Sequence, residues 1–318
     1  MKLVIQIPCY NEEEFLAKTI DAIPASIPGF DEVAILVVDD GSADRTSEVA
    51  AAHPRVAKVI KLPYHQGLAA TFRTGVDAAL KLGADVIVNT DADNQYPGHE
   101  IPALVKPITD GRAEFVIGCR DTGSLPHFSS SKKLAQKFGS WIVSAICRQR
   151  IPDVTSGFRA FDRNSALWLD VIASNYTYTL ETLVRLASQK VRIAHIDITV
   201  NPPVRTSRLM KSSGEYIFRS ALDILTLAYV YFPLRLFVIL SGLIGLPGLF
   251  LILRFLYYYI TISVMQGLTT GYTQSLTLGI GLLTIGFFLL MMGIISNLIH
   301  TNRRILERIL FLHHKNRV

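Results

Sequence analysis

Asp91 and Asp93 stand one residue apart in the run Thr90-Asp91-Ala92-Asp93-Asn94-Gln95-Tyr96-Pro97. Two carboxylates this close repel each other unless a cation or the positive part of a ligand neutralises them. A hard divalent ion shared with a diphosphate meets that need. Mg²⁺ takes one or two protein carboxylates and fills its other positions with phosphate oxygens and water. The same residue types also make turns and cap helices, so the pair alone is equally an Asp-rich connection. Two further stretches have the same character: Pro8-Cys9-Tyr10-Asn11-Glu12-Glu13-Glu14 and Asp39-Asp40-Gly41-Ser42.

Each of these stretches follows an apolar run, Leu3 to Ile7, Val33 to Val38 and Val86 to Val88. Short apolar runs bounded by turn residues read as buried strands. With further strands near 56–60 and 115–118 and helical stretches between them, the pattern predicts an α/β domain. Its sheet is mostly parallel, with right-handed crossovers and helices on both faces. Ligands of such sheets bind at the carboxyl ends of the strands, so three acidic loops converge on one edge. Asn11 is expected to cap the first helix and a second helix to start near Asp44. His65-Gln66-Gly67-Leu68 opens a third that runs to about Leu82, whose N-terminus can face a phosphate or ribose.

Half of the 318 residues are hydrophobic, and the excess is local: from Leu236 to Ile299 the only charged residue is Arg254. Two apolar spans, about 236–260 and 276–299, are each long enough to cross a hydrocarbon core of ~30 Å. Ser241 and Gly245, like Ser275 and Gly279, have the small-xxx-small spacing of packed membrane helices. Arg254 either snorkels towards the interface or pairs within an oligomer. Arg205, Arg208, Lys211 and Arg219 precede the spans, Arg303, Arg304, Arg308, Lys315 and Arg317 follow them, and the segment that joins the two spans has no Lys or Arg. Basic flanks mark the cytoplasmic side, so both termini and the α/β domain are expected in the cytoplasm, anchored to the cell membrane. The net charge of +6 sits beside membrane spans and no nucleic-acid-binding motif occurs, which favours lipid headgroups over nucleic acid. Cys9, Cys119 and Cys147 have no CxxC spacing and read as free thiols.

The loops Pro8-Cys9-Tyr10-Asn11-Glu12, Val38-Asp39-Asp40-Gly41-Ser42 and Asp91-Ala92-Asp93-Asn94-Gln95-Tyr96-Pro97 resemble the three signature loops of inverting family 2 glycosyltransferases with the GT-A fold. Gly118-Cys119-Arg120 and Asp153-Val154-Thr155-Ser156-Gly157-Phe158-Arg159 are similar to the dolichol-phosphate mannose synthase branch and its bacterial polyprenyl-phosphate relatives. The resemblance covers roughly Met1 to Lys211. It implies that Pro8, Tyr10, Glu12, Asp39, Asp40, Gly67 and Asp91 bind a nucleotide sugar, and that Asp91, Asp93 and Gln95 hold Mg²⁺ or Mn²⁺. Asp93, Arg120 and Asp153 are the implied catalytic residues, and Arg120, Lys132, Lys133, Ser156 and Arg205 the implied binders of the acceptor phosphate. Arg159 belongs to the acceptor-side loop or serves as a structural ion-pair partner. A homo-oligomer is expected on the same resemblance. The chain departs from the pattern at His65-Gln66-Gly67, where many relatives have Asn-x-Gly, and at Arg205-Thr206-Ser207-Arg208-Leu209-Met210-Lys211, which lacks the relatives' glycine.

The expected organisation is therefore a cytoplasmic GT-A catalytic domain over 1–211, an interfacial amphipathic region over 212–235, a two-span membrane domain over 236–299 and a basic tail over 300–318. A second amphipathic helix is expected over Ser129 to Arg150, either on the sheet or at the membrane surface. The expected reaction is transfer of a hexose from a UDP- or GDP-sugar to a polyprenyl phosphate, undecaprenyl or dolichyl, with inversion. The alternatives are a lipid hydroxyl acceptor and a catalytically silent nucleotide-binding membrane scaffold. A processive polysaccharide synthase is disfavoured, because neither Trp141 nor Trp168 follows an arginine as Gln-x-x-Arg-Trp requires.

Overall fold

The structure, a computed structural model, describes residues 1–120, 139–145, 147–169, 178–202, 222, 225–226, 229–265, 267 and 271–317. The chain divides into two compact units, one comprising Met1–Leu225 with Leu310–Val318, the other Thr226–Ile309.

The first unit is built on a seven-stranded sheet. Its strands are β1 (Lys2–Cys9), β2 (Glu32–Asp39), β3 (Val56–Lys61), β4 (Val86–Asn89), β5 (Phe115–Arg120), β6 (Arg159–Asp162) and β7 (Ile193–Ile198). They lie side by side in the order β3-β2-β1-β4-β6-β5-β7. β1, β2, β3 and β4 are mutually parallel, β6 runs antiparallel to β4 and β5, and β5 is parallel to β7. The inner strands are buried along nearly their whole length, as strands covered on both faces must be. Helices α1 (Leu16–Ala22), α2 (Thr46–Ala52), α3 (Leu68–Lys81), α4 (Ile101–Thr109), α5 (Arg163–Leu167) and α6 (Tyr178–Ser188) supply the connections. One core cluster joins Leu3, Ile5 and Ile7 of β1 to Leu16 and Ile20 of α1, Val86 and Val88 of β4, Leu104 of α4 and Phe158.

Because β6 alone is reversed, its first residue lies at the edge where β1, β2, β4 and β5 end. Register makes this concrete: Cys9 faces Asp39, Gln6 faces Asn89, and Arg159 is paired with both Asn89 and Ile117. Five sequence motifs spread over some 150 residues thus open onto one edge.

One expected helix start is corrected. α1 begins at Leu16, not after Asn11: Asn11 adopts a left-handed φ of 54° and its Oδ1 accepts a hydrogen bond from Ala43 N at 3.0 Å. An asparagine tolerates that backbone region by bonding locally, so the residue ties two loops together where a cap was expected. The second helix does begin near Asp44: α2 starts at Thr46, with Asp44 Oδ1 accepting from Thr46 N at 3.0 Å.

The second unit contains α7 (Pro233–Tyr258), whose end widens into a π-helical stretch at Tyr259–Val264, and most of α8 (Thr273–Arg317). Both helices are long and apolar enough to cross a membrane. They pack through glycines. A Cβ on Gly248 would stand 2.7 Å from Leu283 N and 2.8 Å from Gly279 O, and one on Gly286 would stand 2.9 Å from the Cα of Gly245. Ser241 Oγ donates to Gly286 O at 2.8 Å across the same seam. Small residues let the backbones approach, which is the main source of helix affinity where the surroundings are as apolar as the side chains. Gly248→Val puts two methyl groups against unyielding backbone. Overpacking costs about 1–3 kcal/mol, so the thermal midpoint of the detergent-solubilised protein should fall by several degrees, as read by scanning fluorimetry.

Arg254 lies beside a stacked pair of aromatic rings, 6.0 Å from the centroid of Tyr258 and 5.8 Å from that of Tyr272, which stack at 4.7 Å. Helix α8 continues without a break past the apolar span, and near its end Phe311 stacks on Trp168 at 4.2 Å. The expected amphipathic segment 129–150 is described only from 139, with 139–145 helical, Trp141 67% exposed and Val143 buried. Most of the expected interfacial region 212–235 lies outside the described residues.

Candidate active site

The carboxyl edge is held together by buried polar side chains. Gln6 Nε2 donates to Asn89 Oδ1 at 2.8 Å, and Asn89 Nδ2 donates to Gly157 O at 2.8 Å, linking β1, β4 and the loop before β6. Tyr96 stacks face to face on Phe158 at 5.1 Å, and its hydroxyl accepts a hydrogen bond from Gly157 N at 3.3 Å. Burial first, with help from Asp91 and Asp153 and against Arg120, pushes the Tyr96 phenol up to about 12, so it remains protonated. Asn201, beyond β7, closes the loop from outside: its N donates to Gln95 O at 3.0 Å and its Nδ2 to Asn94 O at 2.8 Å.

Within this frame Asp91 is half-buried, and burial followed by the charge of Asp93 pushes its carboxyl up to about 7. Glu12 adds to the rise, while Arg120 and Arg159 oppose it. A shift of this sign means that the edge carries more negative charge than it can solvate, which is the condition a bound divalent cation relieves. The oxygen-only donor set suits Mg²⁺ or Mn²⁺, and Asp91 and Asp93 are the residues that fit it. No cluster of three or more His, Cys, Asp or Glu able to hold a metal occurs among the described residues. Asp93 Oδ1 accepts a hydrogen bond from Gln95 N at 3.0 Å, which brings Gln95 beside the pair. Gly157 leaves room for the carboxylate, since a Cβ there would stand 3.0 Å and 3.3 Å from the oxygens of Asp91.

The shift predicts a pH dependence. A carboxyl whose folded pKa of about 7 exceeds its unfolded value of 3.8 keeps its proton better when folded. Its stabilising contribution is complete below the unfolded value and is lost as pH rises to about 7. Asp91→Asn should therefore raise the Tm of chelator-treated protein at pH 8, by about 3 °C for each kcal/mol relieved, and leave it unchanged near pH 4. Calorimetry at the two pH values checks this.

Arg120, at the end of β5, is locked to Asp153: Nε donates to Oδ2 at 2.8 Å and Nη2 to Oδ1 at 3.1 Å, with a further bond from Nη2 to Thr155 Oγ1 at 2.7 Å. Side-chain exposure is 13% for the arginine and 1% for the aspartate. Burial of Asp153 opposes its ionisation, but the guanidinium and the hydrogen bonds from Arg120 and Thr155 outweigh it, and its pKa is lowered. Such a carboxylate is a poor proton acceptor. Asp153, expected among the catalytic residues, stands here as the group that fixes Arg120.

Ser156, expected at the acceptor phosphate, lies inside the loop. It is fully buried, its Oγ accepts from Phe158 N at 3.3 Å, and its carbonyl accepts from Arg159 Nε at 2.7 Å. Arg159 is fully buried as well and donates to Val154 O at 3.0 Å and Thr179 O at 2.9 Å, as well as to Thr182 Oγ1. Of the two open readings of Arg159 the contacts favour the structural one: among the described residues it donates to carbonyls and a hydroxyl.

On the other flank, Asp39 has no exposed surface and accepts hydrogen bonds from Ser42 N at 2.9 Å and from Ser47 Oγ. These bonds shape the loop from within. Asp40 accepts from Gln66 N at 2.7 Å and Gly67 N at 2.9 Å, joining the β2 loop to the start of α3. Gly67 has φ 92°, where only glycine is unstrained. Pro8 is buried, Glu12 is 7% exposed and Tyr10 is 39% exposed, so Tyr10 offers the open surface. Lys132, Lys133 and Arg205, the remaining expected phosphate binders, lie outside the described residues. Sequence reasoning missed the roles of Asn89, Tyr96, Asn201 and His65. Only Tyr96 and His65 carried a signal, from their places inside or beside a motif.

The model of the family described as "Glycosyl transferase family 2" matches residues 4–167, about half of the chain. The chain belongs to this family. It is a glycosyltransferase, with a GT-A-like fold. Undecaprenyl-phosphate mannosyltransferase of Micrococcus luteus is 31% identical over 207 residues, covering 63% of this chain and 83% of that protein. Polyprenol monophosphomannose synthase of Mycolicibacterium smegmatis is 28% identical over 68% of this chain and 83% of its own length. Dolichol-phosphate mannosyltransferase of Pyrococcus furiosus is 28% identical over 273 residues, 83% of this chain and 74% of its own. Among solved structures, glucosyl-3-phosphoglycerate synthase of Mycobacterium tuberculosis, in complex with Mn²⁺, UDP and phosphoglyceric acid, aligns with TM-score 0.54 and 20% identity. That alignment covers 71% of this chain and 77% of the other, and it is a likeness of fold.

Proposed function

We propose that this glycosyltransferase moves a hexose from a UDP- or GDP-linked sugar to a polyprenyl phosphate with inversion at the anomeric carbon. The observation that carries the reading is a cation fixed beside an acidic pair: Arg120, clamped by Asp153, lies close enough to Asp91 to oppose the rise of its pKa. An acidic pair suits the metal-bound diphosphate of a donor, and a fixed guanidinium suits an acceptor that is itself anionic. The relatives named for undecaprenyl-phosphate, polyprenol and dolichol-phosphate mannosyl transfer support the same acceptor class.

In this reaction an oxygen of the acceptor phosphate attacks the anomeric carbon, the carbon–oxygen bond to the diphosphate breaks, and the nucleoside diphosphate departs with the bonding pair. A phosphate monoester is already anionic at neutral pH, so no side chain needs to remove a proton. Asp91 and Asp93 hold the donor end, with Gln95 beside them, and the divalent ion they fit supplies charge neutralisation of the leaving diphosphate. Arg120, with its orientation set by Asp153 and Thr155, receives the acceptor phosphate and screens it from the diphosphate's charge. Glu12 and Tyr10, with Asp40 holding the start of α3, border the nucleotide. Lys132, Lys133 and Arg205 add positive charge for the acceptor on the basis of the family resemblance.

The two apolar helices support a membrane location, with the basic residues flanking them on the cytoplasmic side. A polyprenyl chain leaves the bilayer at a cost of ~0.8 kcal/mol per CH₂, so the site must come to the headgroup. The test is transfer of radiolabel from a panel of UDP- and GDP-sugars to undecaprenyl and dolichyl phosphate, with Mg²⁺ or Mn²⁺ and with chelator. Metal-dependent label in the lipid phase from one donor supports the reading. Label appearing only on a prenol or diacylglycerol hydroxyl would move the acceptor assignment there.

A further inference from the structure

His65 stands where many relatives of this family have asparagine, and the structure surrounds it with fixed partners. Its ring stacks on Tyr10 with centroids 4.0 Å apart and planes inclined by 24°. Its Nδ1 lies 2.8 Å from Asp40 Oδ2, and Asp40 is itself buried and held by the amides of Gln66 and Gly67. The backbone on either side is also constrained: Gly41, with φ 70°, approaches so closely that a Cβ would stand 2.6 Å from Tyr64 C and 2.9 Å from His65 N. Despite all this the His65 side chain is 53% exposed.

An exposed side chain gains little from burial, so holding it in one rotamer against its entropy needs another return. Asp40 already has two amide donors and does not need the imidazole to be satisfied. What the imidazole adds is a rigid backing for Tyr10, the exposed ring of the pocket. Stacked aromatic pairs prefer a defined offset, so pinning one ring to a buried carboxylate fixes the plane of the other.

We infer that His65 is a nucleotide-positioning residue, bridging Asp40 to Tyr10 so that the tyrosine ring stands ready to stack on the base of a nucleoside diphosphate. The inference rests on the nucleotide-sugar reading above and adds to it a residue that the family motifs leave unassigned. A π-face accepts either a purine or a pyrimidine, so His65 governs affinity for UDP and GDP alike, and the choice between them lies elsewhere in the pocket.

Calorimetric titration of UDP and GDP, with Mn²⁺, into the detergent-solubilised full-length protein tests this. His65→Ala removes both ring and hydrogen bond and should raise the Kd of the preferred nucleotide by roughly tenfold. His65→Asn can return a nitrogen to the place of Nδ1 without the ring, and His65→Phe keeps a ring without the bond; each should fall between, at roughly threefold. In the transfer assay the loss should appear in KM for the nucleotide sugar, not in kcat. Wild-type affinity in all three folded variants, or a loss confined to kcat, overturns the inference while leaving the nucleotide reading intact. A wild-type protein that binds neither UDP nor GDP overturns both.

Discussion

Asp93→Ala should abolish sugar transfer, lowering kcat/KM by at least ~10³-fold, while the protein stays folded. The structural cost is small: Asp93 is half-buried and, among the described residues, accepts a hydrogen bond from Gln95 N at 3.0 Å, so the loss amounts to about 1 kcal/mol. Removing it also takes away the charge that, after burial, does most to raise the Asp91 pKa, which offsets that cost. The catalytic cost is large because a diphosphate departs poorly when its charge is not neutralised, and one carboxylate holds a divalent ion far less well than two. Scanning fluorimetry should show a Tm within about 3 °C of wild type. Mn²⁺ titration followed by electron paramagnetic resonance should show weakened binding in the presence of the nucleotide. Transfer within tenfold of wild type would sink the assignment of Asp93 to the metal.

Asp153→Ala has the second large effect, and it falls on stability and activity together. Removing one partner of a buried ion pair leaves the other charge uncompensated and typically costs 3–5 kcal/mol, or roughly 10 °C in Tm for a unit of this size. Thr155 keeps one bond to the guanidinium, which holds the estimate towards the lower figure. A single variant cannot separate a stabilising pair from a functional cation, but the double variant Arg120→Met/Asp153→Leu can. Apolar residues of similar volume commonly recover the stability of a buried pair, so its Tm should return most of the way to wild type. Its sugar transfer should remain down by at least ~10²-fold, because the acceptor phosphate has lost its fixed cation. A double variant that is both stable and active would reduce Arg120 to a packing element.

The two variants act on opposite sides of one design. Asp91 and Asp93 accumulate negative charge that the folded protein alone does not balance, whereas Arg120 and Asp153 balance each other and leave the guanidinium fixed in direction. An unbalanced site recruits a cation. A balanced pair serves as a rigid handle. That difference explains why loss of Asp93 is expected to spare the fold and loss of Asp153 is not.

Much of this was legible in the sequence, because it depends on residues adjacent along the chain. Short runs rich in apolar residues and bounded by turn formers located the first five strands to within a few positions, and the 64-residue stretch with one charge marked both long apolar helices. The spacing of Asp91 and Asp93 required charge neutralisation whatever the fold. Tertiary structure alone decided the rest, because sheet order brings together side chains that the chain keeps far apart. The reversed strand β6 between β4 and β5 carries the 153–158 loop to Arg120, 33 residues away, and makes Asp153 the clamp of that guanidinium. It also buries Ser156 and Arg159, both of which sit in the same motif. The pairing of His65 with Tyr10, 55 positions earlier, and with Asp40 has the same origin, as does the left-handed turn at Asn11, which serves Ala43 across the loop and not its own helix. Local sequence sets which groups are available at an edge. Strand order and burial set which of them face one another, which face the core, and which remain open to a ligand.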